Sequence, residues 1–252
     1  MCYLSWALWH LGYVDQASQL ASEAVNRAEE ISHPHSLVYT LCHARGMMDV
    51  FRRQSDNTKS YAGVVTSLCL EHAFPFWAAG GQIFGGWADI NQGEVDAGVD
   101  ELICGLAAWR KTGCLWLPIF LALEAEGHFK AGRNQAALHS IEQALATSDE
   151  TGERWAIAEI LRVKAHLLLT TGRGIPEEVE RLLIESLEIA RRQQALCWEL
   201  RTSCDLARLW QEQGRSKEAL QLLRTIYGRF TEGFETTDLR HAKVLIEGLN
   251  AA

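Results

Sequence analysis

Residues 118–148 read PIFLALEAEGHFKAGRNQAALHSIEQALATS, an apolar-striped run followed by a glycine turn and a second striped run. The turn is at Gly132, with Ala125 seven residues before it and Ala137 five residues after it. Small side chains at two such positions let a pair of helices approach closely, because the residues at the contact set the distance between helix axes. The stretch therefore predicts a hairpin of two tightly packed helices.

The same pattern recurs along the chain at a nearly fixed interval. Successive turn glycines from Gly93 onward are 39, 40 and 42 residues apart, and the 81 residues between Gly12 and Gly93 hold two units, of which the weaker turns at 53–55. The turn glycines are Gly12, Gly93, Gly132, Gly172 and Gly214. The small residues are Ser5, Gly46, Gly86, Ala125, Ala165 and Ala207 before the turns, and Ala17, Gly98, Ala137 and Ala219 after them. A period in this range indicates stacked helical hairpins.

Two columns of small residues, twelve positions apart, are typical of the tetratricopeptide hairpin, although the interval here is longer than the ~34 residues usual for that repeat. We therefore predict an all-α, right-handed superhelical solenoid that forms a single domain over the whole chain. Its elements are six hairpins and a C-terminal capping helix, at residues 1–31, 35–73, 75–112, 115–150, 153–194, 196–230 and 236–249. The short opening run leads us to expect a piece of a longer protein.

The composition of the chain argues against several classes of binding partner. The net charge is −8, which argues against non-specific binding to nucleic acid or to an anionic membrane. No run reaches the ~18 apolar residues of a membrane span, and the N-terminus lacks the pattern of a signal peptide. The seven cysteines contain no CxxC pair, so we expect buried free thiols, a cytoplasmic location and no metal site or cofactor.

Signatures of catalysis are missing from the sequence. It contains no GxxxxGK[ST] phosphate loop, no GxSxG nucleophile elbow and no HExxH zinc helix. The pair His33 and His35, with Cys42 and His43 nearby, resembles metal spacing only loosely, since no carboxylate lies at ligand distance along the chain. A junction loop with solvent-exposed imidazoles is the favoured interpretation. We predict that this chain is not an enzyme.

Six segments of the chain resemble one bacterial family in amino-acid sequence as well as in the spacing of the repeats. They are GWA at 86–88, GLAAWRKTG at 105–113, TGERW at 151–155, EIARRQQ at 188–194, DLARLW at 205–210 and IYGRFTEGFETTDL at 226–239. These segments are similar to the C-terminal tetratricopeptide region of bacterial adenylate/guanylate cyclase-like proteins, in which cyclase and ATPase domains precede the repeats. The resemblance implies a regulatory or scaffolding module whose enzymatic domains lie upstream, so it carries no catalytic residue to this chain.

Seven residues are candidates for binding a partner, because their register before the turn glycine places them on one face of the first helices. They are Trp87, Glu126, Glu159, Arg162, His166, Arg201 and Arg208. Two interpretations stay open. In one, this face lines a concave groove in which Arg162, Arg201 and Arg208 receive the carboxylates of a partner. In the other, the charged residues pair with one another between neighbouring repeats.

The sequence thus favours a non-catalytic interaction or regulatory module of a bacterial signalling protein. Its partner would be a protein or peptide, with an upstream ATPase or cyclase domain of the same parent chain as one candidate, and neither nucleic acid nor a membrane is expected. The alternative is a self-association platform that makes a homo-oligomer. It would use the first helix, on which Trp6 and Trp9 are expected to be uncovered.

Overall fold

The computed structural model describes residues 1–113 and 115–251, and this part of the chain contains helices and no strand. The helices are α1 (Cys2–His10), α2 (Val14–Ile31), α3 (Pro34–Leu41), α4 (Met48–Arg52), α5 (Thr58–His72), α6 (Pro75–Gln92), α7 (Val95–Thr112), α8 (Leu117–Lys130), α9 (Asn134–Thr151), α10 (Ile157–Thr170), α11 (Pro176–Arg192), α12 (Leu196–Glu212), α13 (Ser216–Tyr227) and α14 (Thr237–Ala251). Among these helices, none is both long enough and apolar enough to cross a membrane.

The order of helices confirms the predicted hairpins and capping helix. Within the hairpins, α6 packs on α7, α10 on α11 and α12 on α13, while α14 packs on both helices of the last hairpin. The contacts of the chain cluster into two compact units. Unit 1 comprises Met1–Ala7 and Gln16–Ala144, and unit 2 comprises Leu8–Asp15 and the chain from Leu145 onward. The single domain stays a prediction.

The turn glycines have the backbone conformation for which glycine is needed. Their φ angles lie in the left-handed region, from 65° at Gly172 to 104° at Gly93, where a Cβ atom is disfavoured. The weak second repeat turns without a glycine, because Arg53 itself adopts the left-handed conformation with a φ of 54°. This substitution explains why the sequence pattern is faint there.

The two columns of small residues meet in the structure. A Cβ atom added to Gly86 of α6 would lie 2.5 Å from the carbonyl oxygen of Gly98 in α7, so these helices touch backbone to backbone. The alanines and serine at the equivalent positions of the other hairpins are buried, namely Ser5, Ala17, Ala125, Ala137, Ala165, Ala207 and Ala219. Burial at every one of these positions agrees with their predicted place between helices.

Between α3 and α4 the chain forms a π-helical turn, Cys42–Met47, which the sequence pattern did not predict. This turn holds Gly46 against the ring of Phe84, whose nearest atom lies 2.5 Å from the position of an added Cβ. The lack of a side chain at Gly46 therefore leaves room for the Phe84 ring beside the π-helical turn.

The cysteines follow the expectation of buried free thiols with one correction. Cys2, Cys42, Cys69, Cys197 and Cys204 are free and buried. Cys104 is free but exposed, because it lies on the water-facing side of α7. Cys114 lies outside the described residues.

Candidate functional site

A network of charged side chains connects three helices of unit 2 and contains four of the residues singled out from the sequence. Helix α10 supplies one acidic and one basic residue, α12 supplies two arginines and an aspartate, and α14 supplies an aspartate. The members are Glu159, Arg162, Arg201, Asp205, Arg208 and Asp238.

Arg162 is the inner arginine of α10. Its Nε and Nη2 atoms donate to the two carboxylate oxygens of Glu159, one turn earlier, at 2.8 and 2.9 Å. Its Nη1 atom donates to Asp205 of α12 at 2.8 Å. The guanidinium is thus bound on both edges, in the forked geometry that makes arginine–carboxylate pairs strong.

Arg201 connects α12 to the other two helices. It donates to Asp238 of α14 through Nε at 2.8 Å and to Glu159 of α10 through Nη1 at 3.3 Å. Its guanidinium carbon also lies 5.1 Å from the ring centre of Trp9, within the range of a cation–π contact. Burial lowers the pKa of Arg201, but the carboxylates of Asp238 and Glu159 outweigh it and raise the pKa, so the side chain stays charged.

The network balances its own charge, with three arginines against three carboxylates. The side chains of Arg162 and Arg201 are only 6% and 5% exposed, and each already binds two carboxylates of the chain. Ion pairs of this kind gain little net stability, but removing one partner is costly because it leaves a buried charge without compensation. The network therefore holds α14 to α10 and α12.

The outer end of the network is its most exposed part. Arg208 is about one-third exposed, donates to Asp205 at 3.0 Å and contacts the ring of His241. His166, which stands six residues before its turn glycine as Arg208 does, is exposed on α10. These two are the predicted charged or titratable residues of unit 2 that a partner can touch.

The other two predicted site residues belong to unit 1. Trp87 is buried on α6, and Glu126 is half-buried on α8. The same register contains Ile83, which packs against Gly105 of α7 in its own hairpin. Hence the register before the turn glycine identifies residues at equivalent positions, but it does not show which of them are covered by neighbouring side chains.

The expectation that Trp6 and Trp9 are exposed to solvent is wrong, since these two residues are only 7% and 2% exposed. In unit 1, the Trp6 indole donates to the carbonyl of His43 at 2.9 Å and its ring stacks on the His43 ring. In unit 2, Trp9 packs edge-on against Trp198. These partners are distant in sequence, so the length of the first helix gave no sign of them. The self-association alternative therefore loses these two tryptophans, although Tyr3 and Leu4 of the same helix are exposed, and it stays a prediction.

The histidines of the 33–43 segment have structural roles. His33 caps α3, because its Nδ1 atom accepts a hydrogen bond from the backbone nitrogen of Ser36 at 3.2 Å. His43 is buried, with Nδ1 2.7 Å from the carbonyl oxygen of Tyr39. Over the described ranges, no three histidine, cysteine, aspartate or glutamate side chains are grouped so as to hold a metal ion.

Comparisons with known proteins give a distant relative by sequence and similar solved structures by fold. No family model matches the chain. An uncharacterized protein of Rhizobium meliloti (strain 1021) is 24% identical over 193 residues, which are 76% of this chain, and the chain spans only 19% of that relative's length.

Two solved structures are similar in shape, both of TPR-like repeats assigned to a Podosopora anserina kinesin light chain. The first is 19% identical with a TM-score of 0.53, and the match covers 79% of this chain and 96% of that one. The second, a variant of the same repeats, is 19% identical with a TM-score of 0.52, and the match covers 75% of this chain and 95% of that one. The chain thus has the all-α fold of a tetratricopeptide-like repeat solenoid.

Proposed function

We propose that this chain is a non-catalytic protein-interaction module, and that it binds a protein or peptide at the outer end of the charged network of unit 2. Stacked helical hairpins form extended surfaces suited to binding other chains. The observation that supports the proposal most directly is the combination of contacts and solvent exposure at Arg208. Asp205 fixes one edge of its guanidinium, Nη2 contacts the ring of His241, and about one-third of the side chain is exposed to water.

An arginine held in this way suits a binding hot spot. Its side chain is already ordered by Asp205, so less conformational freedom is lost when a partner binds. Arginine is also among the residues that most often dominate the energy of an interface. Arg162 and Arg201 would then act as supports, since their own carboxylates occupy them.

We propose further that the partner lies in the same parent chain. The Rhizobium meliloti relative is about five times the length of this region, which fits a module attached to other domains. The resemblance to cyclase-like proteins suggests an upstream ATPase or cyclase domain as that partner. In this proposal, occupancy of the repeat surface would regulate the upstream domain.

A selection of peptides from a random library displayed on phage tests the binding site without knowledge of the partner. We expect selected peptides to bind wild type and to lose about tenfold in affinity, or about 1.4 kcal/mol, for Arg208→Ala. The control is Arg173→Ala, which removes an exposed arginine of unit 2 outside the charged network and should bind as wild type does. Peptides that bind both variants equally, or a library that yields none, would count against the proposed site.

A further inference from the structure

A second charged cluster lies in unit 2, where α11 ends and α12 begins, and it is separate from the network described above. Glu199, in the first turn of α12, is 1% exposed at its side chain. One carboxylate oxygen accepts from Nε of Arg191, in the last turn of α11, at 2.9 Å. The other accepts from Nη1 of Arg229, which follows α13, at 2.6 Å.

This cluster carries more positive charge than its buried carboxylate requires. One guanidinium neutralises Glu199, and the second leaves an excess of one positive charge. Both arginines are half-exposed, at 48% and 49% of the side chain. In the part of the chain that the structure describes, each binds Glu199 through a single nitrogen, which leaves its other N–H donors open to water.

The cluster therefore differs from the network of Arg162 and Arg201. There, buried arginines bind two carboxylates each, and the charges cancel. Here, one buried carboxylate fixes two guanidinium groups, and no other carboxylate among the described residues pairs with either of them. Because both groups are held by the same carboxylate, they lie close together and repel each other, and an added anion would relieve that repulsion.

We propose that Arg191, Glu199 and Arg229 form a docking site for the carboxylate of an acidic peptide segment in a protein partner. The planar donor fork of arginine matches a carboxylate in geometry. The excess of one positive charge at the site matches one carboxylate, whereas a phosphate monoester carries about −1.5 to −2 and would be left partly uncompensated. Glu199 holds both forks in place before binding, which lowers the entropy lost on capture. This site does not depend on Arg208.

The test is binding of a fluorescein-labelled hexaglutamate peptide to the whole chain, measured by fluorescence anisotropy at low ionic strength. We expect Arg229→Gln and Arg191→Gln each to weaken binding by about tenfold, which corresponds to the loss of one charged hydrogen-bonding partner. The control is Arg192→Gln, an exposed neighbour that makes no bond to Glu199 and whose loss changes the net charge by the same amount. It should bind within about twofold of wild type. Arg208→Ala should also bind as wild type, which separates this site from the proposed function.

A second variant covers the case in which Arg229→Gln does not fold because Glu199 loses a partner. Arg229→Lys keeps the positive charge beside Glu199 but lacks the fork, and we expect binding about fivefold weaker with a melting temperature near that of wild type. Equal weakening by Arg192→Gln would overturn the proposal, because it would indicate attraction to charge alone. Failure of the peptide to bind, or tighter binding of a phosphoserine peptide of equal length, would also overturn it.

Discussion

The two units place different chemistry in their interiors although both are built from the same helical hairpins. Unit 1 is filled with rings: Trp109 stacks on Trp116, and Phe120 meets both edge-on. Unit 2 also contains packed rings, but it adds two buried arginines, Arg162 and Arg201, which carboxylates surround. What the hairpins share is the pair of small columns at which helices touch. The repeat therefore fixes how close the helices come, and it leaves the remaining interior positions free to vary.

The sharpest test of this contrast is removal of a buried charge from unit 2. Arg201→Met should lower the free energy of unfolding by about 3–5 kcal/mol, because Asp238 and Glu159 lose a buried partner. The matched control is Arg240→Met, whose arginine also pairs with a carboxylate, Glu235, but is 64% exposed. That loss should cost less than about 1 kcal/mol. Urea unfolding followed by circular dichroism measures both.

Equal stability of the two variants would show that unit 2 does not depend on its charged interior. The two units would then differ in the residues of their interiors but not in how much those residues contribute to stability.

The second prediction concerns acid, to which unit 1 should respond through the buried imidazole of His43. His43 is fully buried between the rings of Tyr39 and Trp6, and burial lowers its pKa to about 4 from 6.5. A lowered histidine pKa means that the unfolded chain takes up the proton first. Its stabilising effect is therefore present above pH 6.5 and is lost as the pH falls to 4. At about 1.4 kcal/mol per pH unit, the loss amounts to about 3 kcal/mol.

The measurement is the stability of wild type minus that of His43→Phe, a ring that cannot titrate, at several pH values. The difference is needed because Asp49 acts in the opposite direction. Burial raises the Asp49 pKa to about 6, so its effect on stability is most favourable below pH 3.8 and is lost as the pH rises through 6. His139→Gln, which replaces an exposed imidazole of unit 1, is the control and should keep the wild-type slope. A difference that stays constant with pH would contradict the prediction.

The fold could be predicted because its determinants are local. The turn glycine Gly132 and the small residues Ala125 and Ala137 lie within twelve positions of one another, and each hairpin repeats them. The register also brought part of the network together, since residues one repeat apart become neighbours. Arg162 binds Asp205, 43 positions away, and Arg201 binds Glu159, 42 positions away.

Burial could not be predicted, because it depends on partners that follow no period. The thiol of Cys197 donates to the carbonyl of Trp9 across 188 positions, and no spacing rule connects them. The cluster around Glu199 could not be predicted for a similar reason. Arg191 lies in the last turn of α11, whereas Arg229 follows α13, so no single helical face contains the three residues.

The prediction with the smallest expected effect concerns the close approach of paired helices, which both units share. It compares the same glycine-to-alanine substitution at two helical positions of unit 1. Gly86→Ala would place a Cβ atom 2.5 Å from the Gly98 carbonyl oxygen and 2.6 Å from the Leu102 nitrogen, and backbone atoms cannot rotate away. Gly63→Ala, on α5, meets nothing within 4 Å. Alanine gains about 1 kcal/mol over glycine in a helix at either position, so only Gly63→Ala should raise the stability. For Gly86→Ala we expect a loss of about 1–3 kcal/mol, because α6 and α7 must move apart. If thermal unfolding showed both variants to be stabilised alike, the small columns would not be what sets the distance between paired helices.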